Sequence, residues 1–322
     1  MQFFTDQFFC GNAETVLQKI PDCSVDACIT SPPYYLQRDY GVSDQIGVED
    51  SPEAYIDSLT SVFAQVRRVL KDNGTLWVII GDSYVGIRPL GSGYKKKDLI
   101  GIPWMLAFAL RADGWYLRDD IIWHKTNPMP ESVRDRCTRA HEYIFLLSKS
   151  PTYYYDAEAI SVPTAQSTVK RLAQNIDAQQ GSARVAQKNG NMKAKAPKWR
   201  YGGKKYSETP DVFFRTKSGV LYDYRLKVNR RDVWTSATAH YKDAHFATFP
   251  AELIRPCVLA SCPVGGLVLD PFVGSGTTAE VALETSRHFV GIDINPSYVG
   301  IAKSRVSPLV EQPRLPHFTY QG

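Results

Sequence analysis

The chain has 322 residues, of which 43% are hydrophobic and 22% charged, a balance typical of a globular protein with one large domain or two. It contains no apolar run of about 18 residues and no N-terminal segment that is basic and then apolar, so we expect no membrane contact and a cytoplasmic location. The net charge is +5, and the six cysteines form no C-x-x-C pair, which favours reduced thiols over disulfides or a metal site.

Residues 1–150 alternate strand-like and helix-like stretches. Strands are predicted in SVDACIT, GTLWVIIGD, YLRDDIIWHK and HEYIFLLSKS, and helices in SPEAYIDSLTSVFAQVRRVL and IPWMLAFALRADG. Ser51 and Pro52 suit the N-cap and the first position of the first helix. The alternation indicates an α/β layer fold, and the last two strands predict an antiparallel strand at the edge of the same sheet.

Two adjacent prolines follow the first of these strands, in the sequence S-P-P-Y. Pro32 and Pro33 cannot donate ladder hydrogen bonds, so the strand must end before them and a stiff loop must follow. This loop presents the Ser31 hydroxyl, the Ser31 and Pro32 carbonyls and the Tyr34 ring with little freedom left to lose. Two acceptors beside an aromatic face suit a planar group that carries an amine. The alternative is an ordinary proline-rich turn with a core tyrosine.

The basic charge is concentrated in the middle of the chain, between Ser161 and Trp234. This segment contains 16 Lys and Arg residues against 5 Asp and Glu residues, whereas the rest of the chain has a net charge of −6. Aromatic residues alternate with the basic ones, which predicts a nucleic-acid surface, and a solvated insertion loop is the alternative. The candidate contacts are Lys198, Arg200, Lys204 and Lys205.

The α/β pattern resumes towards the C-terminus with a helix in FPAELIRPCVLASC and a strand, glycine loop and helix in GGLVLDPFVGSGTTAEVALETSR. The strand ends at Asp270, the turn contains Gly274 and Gly276, and the helix starts around Thr277. A further strand ends at Asp293, 17 residues after Gly276. This arrangement predicts a nucleoside site in which glycines let the backbone approach the ligand and a carboxylate meets ribose hydroxyls.

A dinucleotide dehydrogenase satisfies the same spacing, because Gly274, Gly276 and Ala279 match G-x-G-x-x-G/A. The charge of Asp270 argues against it, since a carboxylate at the strand end would lie close to the pyrophosphate. A cationic ligand such as S-adenosylmethionine, with its ammonium and sulfonium groups, suits that position better.

The segment D-P-F-x-G-S-G-T-T after S-P-P-Y resembles the DNA amino-methyltransferases, in the permuted group whose catalytic motif precedes the cofactor motif. The resemblance covers residues 8–155 and 232–308. It implies a Rossmann-like methyltransferase sheet built from residues 1–155 and 235–322, with residues 156–234 as a basic target-recognition insert. The implied cofactor is S-adenosylmethionine and the implied partner is double-stranded DNA, with a separately acting restriction endonuclease as a candidate second partner.

The resemblance also implies roles for individual residues. The catalytic residues would be Ser31, Pro32, Pro33 and Tyr34. The cofactor would be held by Asn12, whose amide replaces an acid that meets the adenine amino group, by the methionine-end residues Thr248, Phe249 and Pro250, and by Asp270, Pro271, Phe272, Gly274, Gly276, Thr277 and Asp293. The target base and DNA would meet Arg38, Tyr40, Trp123, Lys125 and Asn127; the last three, taken singly, also suit edge-strand or turn chemistry.

The implied reaction is direct in-line attack of an exocyclic amine on the activated methyl group, on a base flipped out of the duplex. Members with Ser in the position of Ser31 tend to act on cytosine N4, and adenine N6 is the alternative. A carbon-5 mechanism would need a cysteine nucleophile, and we expect Cys257 to be a core residue. A non-catalytic DNA-binding regulator, and methylation of RNA or of a protein glutamine, are further alternatives.

Overall fold

The computed structural model describes residues 4–86, 93–165, 213–215, 221–223, 227–238 and 249–310. The chain divides into two compact units. The larger unit comprises residues 1–160 and 231–322, and the smaller comprises residues 161–230. The described part of the smaller unit contains two short antiparallel strand pairs, β6 (Val162–Pro163) with β9 (Lys227–Val228) and β7 (Phe213–Arg215) with β8 (Leu221–Asp223).

The larger unit is an α/β layer structure, as its alternating sequence predicts. Its strands are β1 (Gln7–Cys10), β2 (Val25–Thr30), β3 (Leu70–Ile80), β4 (Tyr116–Lys125), β5 (His141–Ser148), β10 (Val233–Ser236), β11 (Leu267–Asp270) and β12 (His288–Asp293). Its helices are α1 (Ala13–Leu17), α2 (Pro52–Val69), α3 (Ile102–Ala112), α4 (Ala251–Ser261), α5 (Thr277–Glu284) and α6 (Pro296–Val310). Among the helices of the described residues, none combines the length and the apolar character that crossing a membrane requires.

The eight strands form one sheet in the order β1-β12-β11-β2-β3-β5-β4-β10. Every neighbouring pair is parallel except the two that involve β5, which runs against both β3 and β4. The antiparallel strand therefore lies inside the sheet, and not at its edge as the sequence suggests. The actual edges are β1 and β10, two four-residue strands that local sequence does not reveal because each exists only through its pairing with a longer neighbour.

Helices cover both faces of this sheet because side chains alternate along each strand. On β2, Cys28 belongs to the core under α1, α2 and α3, whereas Ala27 and Ile29 belong to the core under α4, α5 and α6. Helix α2 begins as predicted, with the Ser51 hydroxyl accepting the Ala54 amide at 3.1 Å. Cys257 is fully buried and its thiol points back to the Leu253 carbonyl, which confirms it as a core residue.

Candidate active site

A cavity of about 380 Å³ lies at the edge of the sheet where β2, β4, β11 and β12 end and β5 begins. The carboxyl ends of parallel strands meet at one edge, and the reversed direction of β5 brings its first residues to the same edge. The cavity unites most of the residues predicted from the two motifs. Its lining includes Asn12, Ser31, Pro32, Pro33, Tyr34, Arg38, Tyr40, Trp123, Lys125, Phe249, Pro271, Phe272, Gly274, Thr277 and Asp293.

The S-P-P-Y loop leaves β2 directly after Thr30, and α2 holds it in place. The Tyr55 hydroxyl donates to the Pro33 carbonyl at 2.7 Å, and the buried Tyr35 ring packs 5.3 Å from that of Tyr55. The second tyrosine of the loop is thus the core residue, whereas Tyr34 reaches the cavity. The core tyrosine expected of an ordinary turn is therefore Tyr35, and Tyr34 is free of that role and borders the cavity.

Tyr34 belongs to a polar row that runs across the cavity wall. Its hydroxyl donates to Glu142 at 2.8 Å and adjoins the hydroxyl of Ser31. Glu142 also forms an ion pair with Lys125, whose ammonium lies 4.6 Å from the centroid of the Trp123 ring. Burial, and after it the Glu142 carboxylate, holds the pKa of Tyr34 well above its usual range, so its phenol keeps the proton.

Glu142 is a cavity residue that the motif analysis does not identify. It stands at the second position of the strand HEYIFLLS, directly before the apolar run YIFLL, and an acid at that place is the signal that could have flagged it. A glycine directly after β3 makes room for the row. A Cβ atom at Gly81 would lie 2.8 Å from the Tyr34 ring and 3.2 Å from a Glu142 carboxylate oxygen, so a larger residue would displace one of them.

The glycine loop after β11 wraps around the carboxylate of Asp293. One oxygen of Asp293 accepts the Gly274 amide and the other accepts the Asn295 amide, both at 2.9 Å. Asp293 still borders the cavity, and burial raises its pKa. Gly276 has φ of +84°, and a Cβ there would lie 3.0 Å from Ala302 on α6, so both backbone conformation and packing require glycine.

Asp270 lies behind the cavity wall and not in it, contrary to the prediction that its charge faces the ligand. It is 2% exposed, and its oxygens accept the hydroxyls of Thr30 and Thr278, each at 2.6 Å, and the Phe272 amide at 3.1 Å. Since Thr30 immediately precedes Ser31, Asp270 ties the end of β2 to the glycine loop and to α5. Burial raises its pKa to about 6, against the opposing effect of these hydrogen bonds.

Arg305 on α6 is a second residue that sequence reasoning missed. Its guanidinium donates to the Thr277 hydroxyl at 2.9 Å, to the Ser275 hydroxyl at 3.2 Å and to Glu280 at 2.6 Å. It thereby fixes the start of α5 from a neighbouring helix. A single arginine in an amphipathic helix has no local sequence signal for such a contact.

Tyr40 lies at the Asp293 end of the cavity, although its place after S-P-P-Y suggested a contact with the base or DNA. Its ring meets that of Tyr298 on α6 edge to face, with centroids 5.9 Å apart, and both rings line the cavity. Burial, the largest influence, raises the pKa of Tyr40. The loop that carries Ser31 thus also reaches over the glycine motif.

The remaining predicted residues divide into three groups. The Asn12 side-chain oxygen caps α1 by accepting the Thr15 amide at 3.2 Å, which occupies one of the two lone pairs of the oxygen assigned to an adenine amino group. Asn127 accepts the Thr238 amide at 2.8 Å, and Pro250 caps α4; neither lines the cavity. The predicted contacts outside the described residues are Thr248, Lys198, Arg200, Lys204 and Lys205.

The chemistry of the cavity wall suits S-adenosylmethionine. Asp293 offers an acceptor for hydroxyls, the glycine loop lets backbone approach closely, and the Tyr40 and Tyr298 rings provide an apolar border for a flat ring. The described residues contain no group of three or more His, Cys, Asp or Glu side chains placed to hold a metal ion. The sheet and this site together define an α/β nucleoside-binding protein of the methyltransferase class.

Comparison with known proteins identifies the family. Residues 25–304 match the family of DNA methylases that includes the N6 and N4 methyltransferases. The type II methyltransferase M.Cfr9I of Citrobacter freundii is 42% identical over 92% of this chain and 86% of its own, and M.SmaI of Serratia marcescens is 43% identical over 92% and 89%. The chain therefore belongs to the family of N4-cytosine and N6-adenine DNA methyltransferases. It is an enzyme that uses S-adenosylmethionine to methylate DNA.

Solved structures share its fold. A candidate DNA modification methylase of Thermus thermophilus, in complex with S-adenosylmethionine, superimposes with a TM-score of 0.57 and 22% identity over 95% of this chain and 96% of that one. The cytosine-N4-specific PvuII methyltransferase gives a TM-score of 0.61 and 18% identity over 93% and 85%. The expected methyltransferase sheet is therefore confirmed.

Proposed function

We propose that this enzyme transfers the methyl group to N4 of a cytosine flipped out of duplex DNA. The observation that carries the proposal is the S-P-P-Y loop, whose Ser31 and Tyr34 border the same cavity as the glycine loop and Asp293. The serine in the first position favours cytosine over adenine by the tendency of the family. The identities of 42% and 40% to two type II methyltransferases support a role in restriction and modification, with a separately acting endonuclease as partner.

The cofactor would bind along the glycine loop. Asp293 would accept the ribose hydroxyls, and Tyr40 and Tyr298 would border the adenine ring. The methionine end would lie near Phe249. Further contacts would come from the cavity residues Asn12, Pro271, Phe272, Gly274 and Thr277. Thr248, Pro250 and Gly276 stay predicted contacts. S-adenosylmethionine supplies, when bound, a methyl group already activated by its attachment to a sulfonium.

The chain's own task is to hold the amine at near-attack distance and in line with the activated methyl group. An exocyclic aromatic amine is a weak nucleophile because its lone pair is delocalised into the ring. Ser31 Oγ and the Pro32 carbonyl would accept the two amine hydrogens and favour a tetrahedral nitrogen, and Tyr34 would stack on the base. The methylated nitrogen is strongly acidic, so it loses its proton without a tuned general base.

Entry of the base requires flipping, because the amine is inaccessible inside a duplex. Unstacking costs a few kcal/mol, which stacking in the cavity and basic contacts to the backbone would offset. Trp123 and Lys125 at the end of β4 would meet the base, and Arg38 and Asn127 would contact the DNA beside it. The basic segment 156–234 would recognise the target through Lys198, Arg200, Lys204 and Lys205.

The test is incubation of the purified protein with unmethylated genomic DNA and methyl-labelled S-adenosylmethionine, followed by digestion to nucleosides and mass spectrometry. The expected product is N4-methylcytosine, and Ser31→Ala should form it about 10- to 100-fold more slowly. Labelled N6-methyladenine would overturn the base assignment while leaving the cavity's chemistry intact. The absence of any labelled nucleoside, from a protein shown to bind the cofactor, would overturn the proposal as a whole.

A further inference from the structure

Glu142 is a nearly buried charge in the cavity for which the proposed reaction has no use. Its side chain is 13% exposed, and that of its partner Lys125 is 19% exposed. One carboxylate oxygen faces the Lys125 ammonium, and the other accepts the Tyr34 hydroxyl at 2.8 Å. Burying such a pair is costly, and it contributes less to stability than a well-packed apolar pair of the same volume would. A role in positioning the reacting groups accounts for its presence.

The chemistry of these groups fixes the direction of each hydrogen bond. An ionised carboxylate only accepts, and an ammonium only donates, so the Tyr34 proton is committed to Glu142. The Tyr34 oxygen is then left with lone pairs towards the adjoining Ser31 hydroxyl. A Ser31 hydroxyl that donates to this oxygen presents only the lone pairs of its own oxygen to the cavity.

We propose that Glu142 is a positioning residue that makes Ser31 an acceptor towards the target base, through Tyr34. The inference rests on the proposed function and specifies the class of base the site admits. An acceptor at this place pairs with an exocyclic amine, as in cytosine and adenine. It repels the carbonyl oxygen that thymine carries at the corresponding position.

Replacing the Glu142 carboxylate by an amide of the same shape reverses the direction of the hydrogen bonds between residue 142, Tyr34 and Ser31. In Glu142→Gln, Lys125 still donates to the amide oxygen, so the NH₂ group is turned towards Tyr34. Tyr34 must then accept from the amide and donate to Ser31, and Ser31 donates towards the amine. We expect kcat to fall about 10- to 100-fold, with KM for DNA and the Kd for S-adenosylmethionine within about twofold of the parent values.

A double-mutant cycle with Tyr34→Phe separates positioning from a structural role. Phenylalanine keeps the stacking ring but interrupts the row, so Tyr34→Phe should lose less activity than Glu142→Gln, and the double variant should equal Tyr34→Phe. Glu284→Gln, which breaks an ion pair with Arg255 between α4 and α5, is the matched control and should keep parental activity. If Glu142→Gln costs the same factor with and without the Tyr34 hydroxyl, the inference is overturned.

Two further outcomes are distinguishable. A parallel loss of cofactor affinity in Glu142→Gln would indicate a collapsed site and would also overturn the inference, and thermal unfolding of each variant identifies it. Should Glu142→Gln fail to fold, unchanged kcat in Tyr34→Phe would contradict the inference by itself. The parent enzyme's product decides the proposed function separately: N6-methyladenine would displace cytosine but leave the argument about Glu142 unaffected, since both bases offer an amine.

Discussion

Asp270 should make the stability of this protein depend on pH in a direction opposite to that of most carboxylates. Its pKa rises from 3.8 to about 6 because burial outweighs the hydrogen bonds from Thr278, Thr30 and the Phe272 amide. The folded state therefore favours the protonated form. At about 1.36 kcal/mol for each pKa unit, ionisation of Asp270 costs the folded state about 3 kcal/mol relative to the unfolded chain.

The sign follows from proton binding. Between pH 3.8 and about 6 the folded chain binds more protons at Asp270 than the unfolded chain does, so the free energy of unfolding falls as pH rises. The contribution is fully present below the unfolded pKa and is lost as the pH passes through the folded one. Between pH 4.5 and 7.5 the loss amounts to roughly 2 of the 3 kcal/mol.

Asp270→Asn removes this titration while preserving the shape of the side chain. The assay is urea unfolding of parent and variant at a series of pH values from 4.5 to 7.5, compared as a difference so that other titrating groups cancel. We expect the advantage of the parent over the variant to shrink by roughly 2 kcal/mol across this range. A difference that stays flat, or that grows with pH, would refute the argument that burial dominates at this carboxylate.

Four other substitutions test the division of the cavity. Ser31→Ala should lower kcat about 10- to 100-fold in a methyl-transfer assay but leave the cofactor Kd, measured by calorimetry, unchanged; equal losses in both would contradict its assignment to the base. Asp293→Ala should instead raise the cofactor Kd about 10- to 100-fold, and an unaltered Kd would remove Asp293 from the cofactor site. Tyr40→Leu should raise the Kd for the cofactor about 5- to 20-fold, and the affinity for DNA measured without cofactor should not change. The opposite pattern would indicate that Tyr40 contacts DNA. Gly81→Ala should destabilise the fold by about 1–3 kcal/mol and lower kcat, because the new methyl group displaces the Tyr34 ring. A variant with parental kcat would show that the cavity wall accommodates the methyl group without displacing Tyr34.

Helix starts, strand ends and turns could be predicted from the sequence where residues within the segment itself determine them. The start of α2 follows from Ser51 and Pro52, and the end of β2 follows from the two prolines that cannot join a ladder. The turn at Gly274 and Gly276 and the place of Asp293 at the end of the next strand were predictable because glycines and an acid stand at the spacing typical of a strand, turn, helix and strand unit.

The structure corrected predictions that depend on where a chain segment meets others. Asp270 has the motif position of a ligand contact, yet its oxygens are used by Thr30 and Thr278, which come from segments far apart in sequence. The antiparallel strand β5 is internal because β4 and β10 continue the sheet beyond it. Tyr40 follows the catalytic motif in the chain but meets Tyr298 of the last helix. In each case the deciding contact depends on how segments meet in the folded chain.

The sequence by itself determined the α/β class and the two motifs, because turns, caps and close backbone approaches depend on residues within a few positions of one another. The cofactor followed from the family resemblance that these motifs carry. Only the tertiary structure decided which polar groups face the cavity and which face one another. Glu142 and Arg305 acquire their partners through strand order and helix packing, which bring together residues that are 108 and 28 positions apart. Such contacts depend on the three-dimensional path of the whole chain, and no short window of sequence contains it.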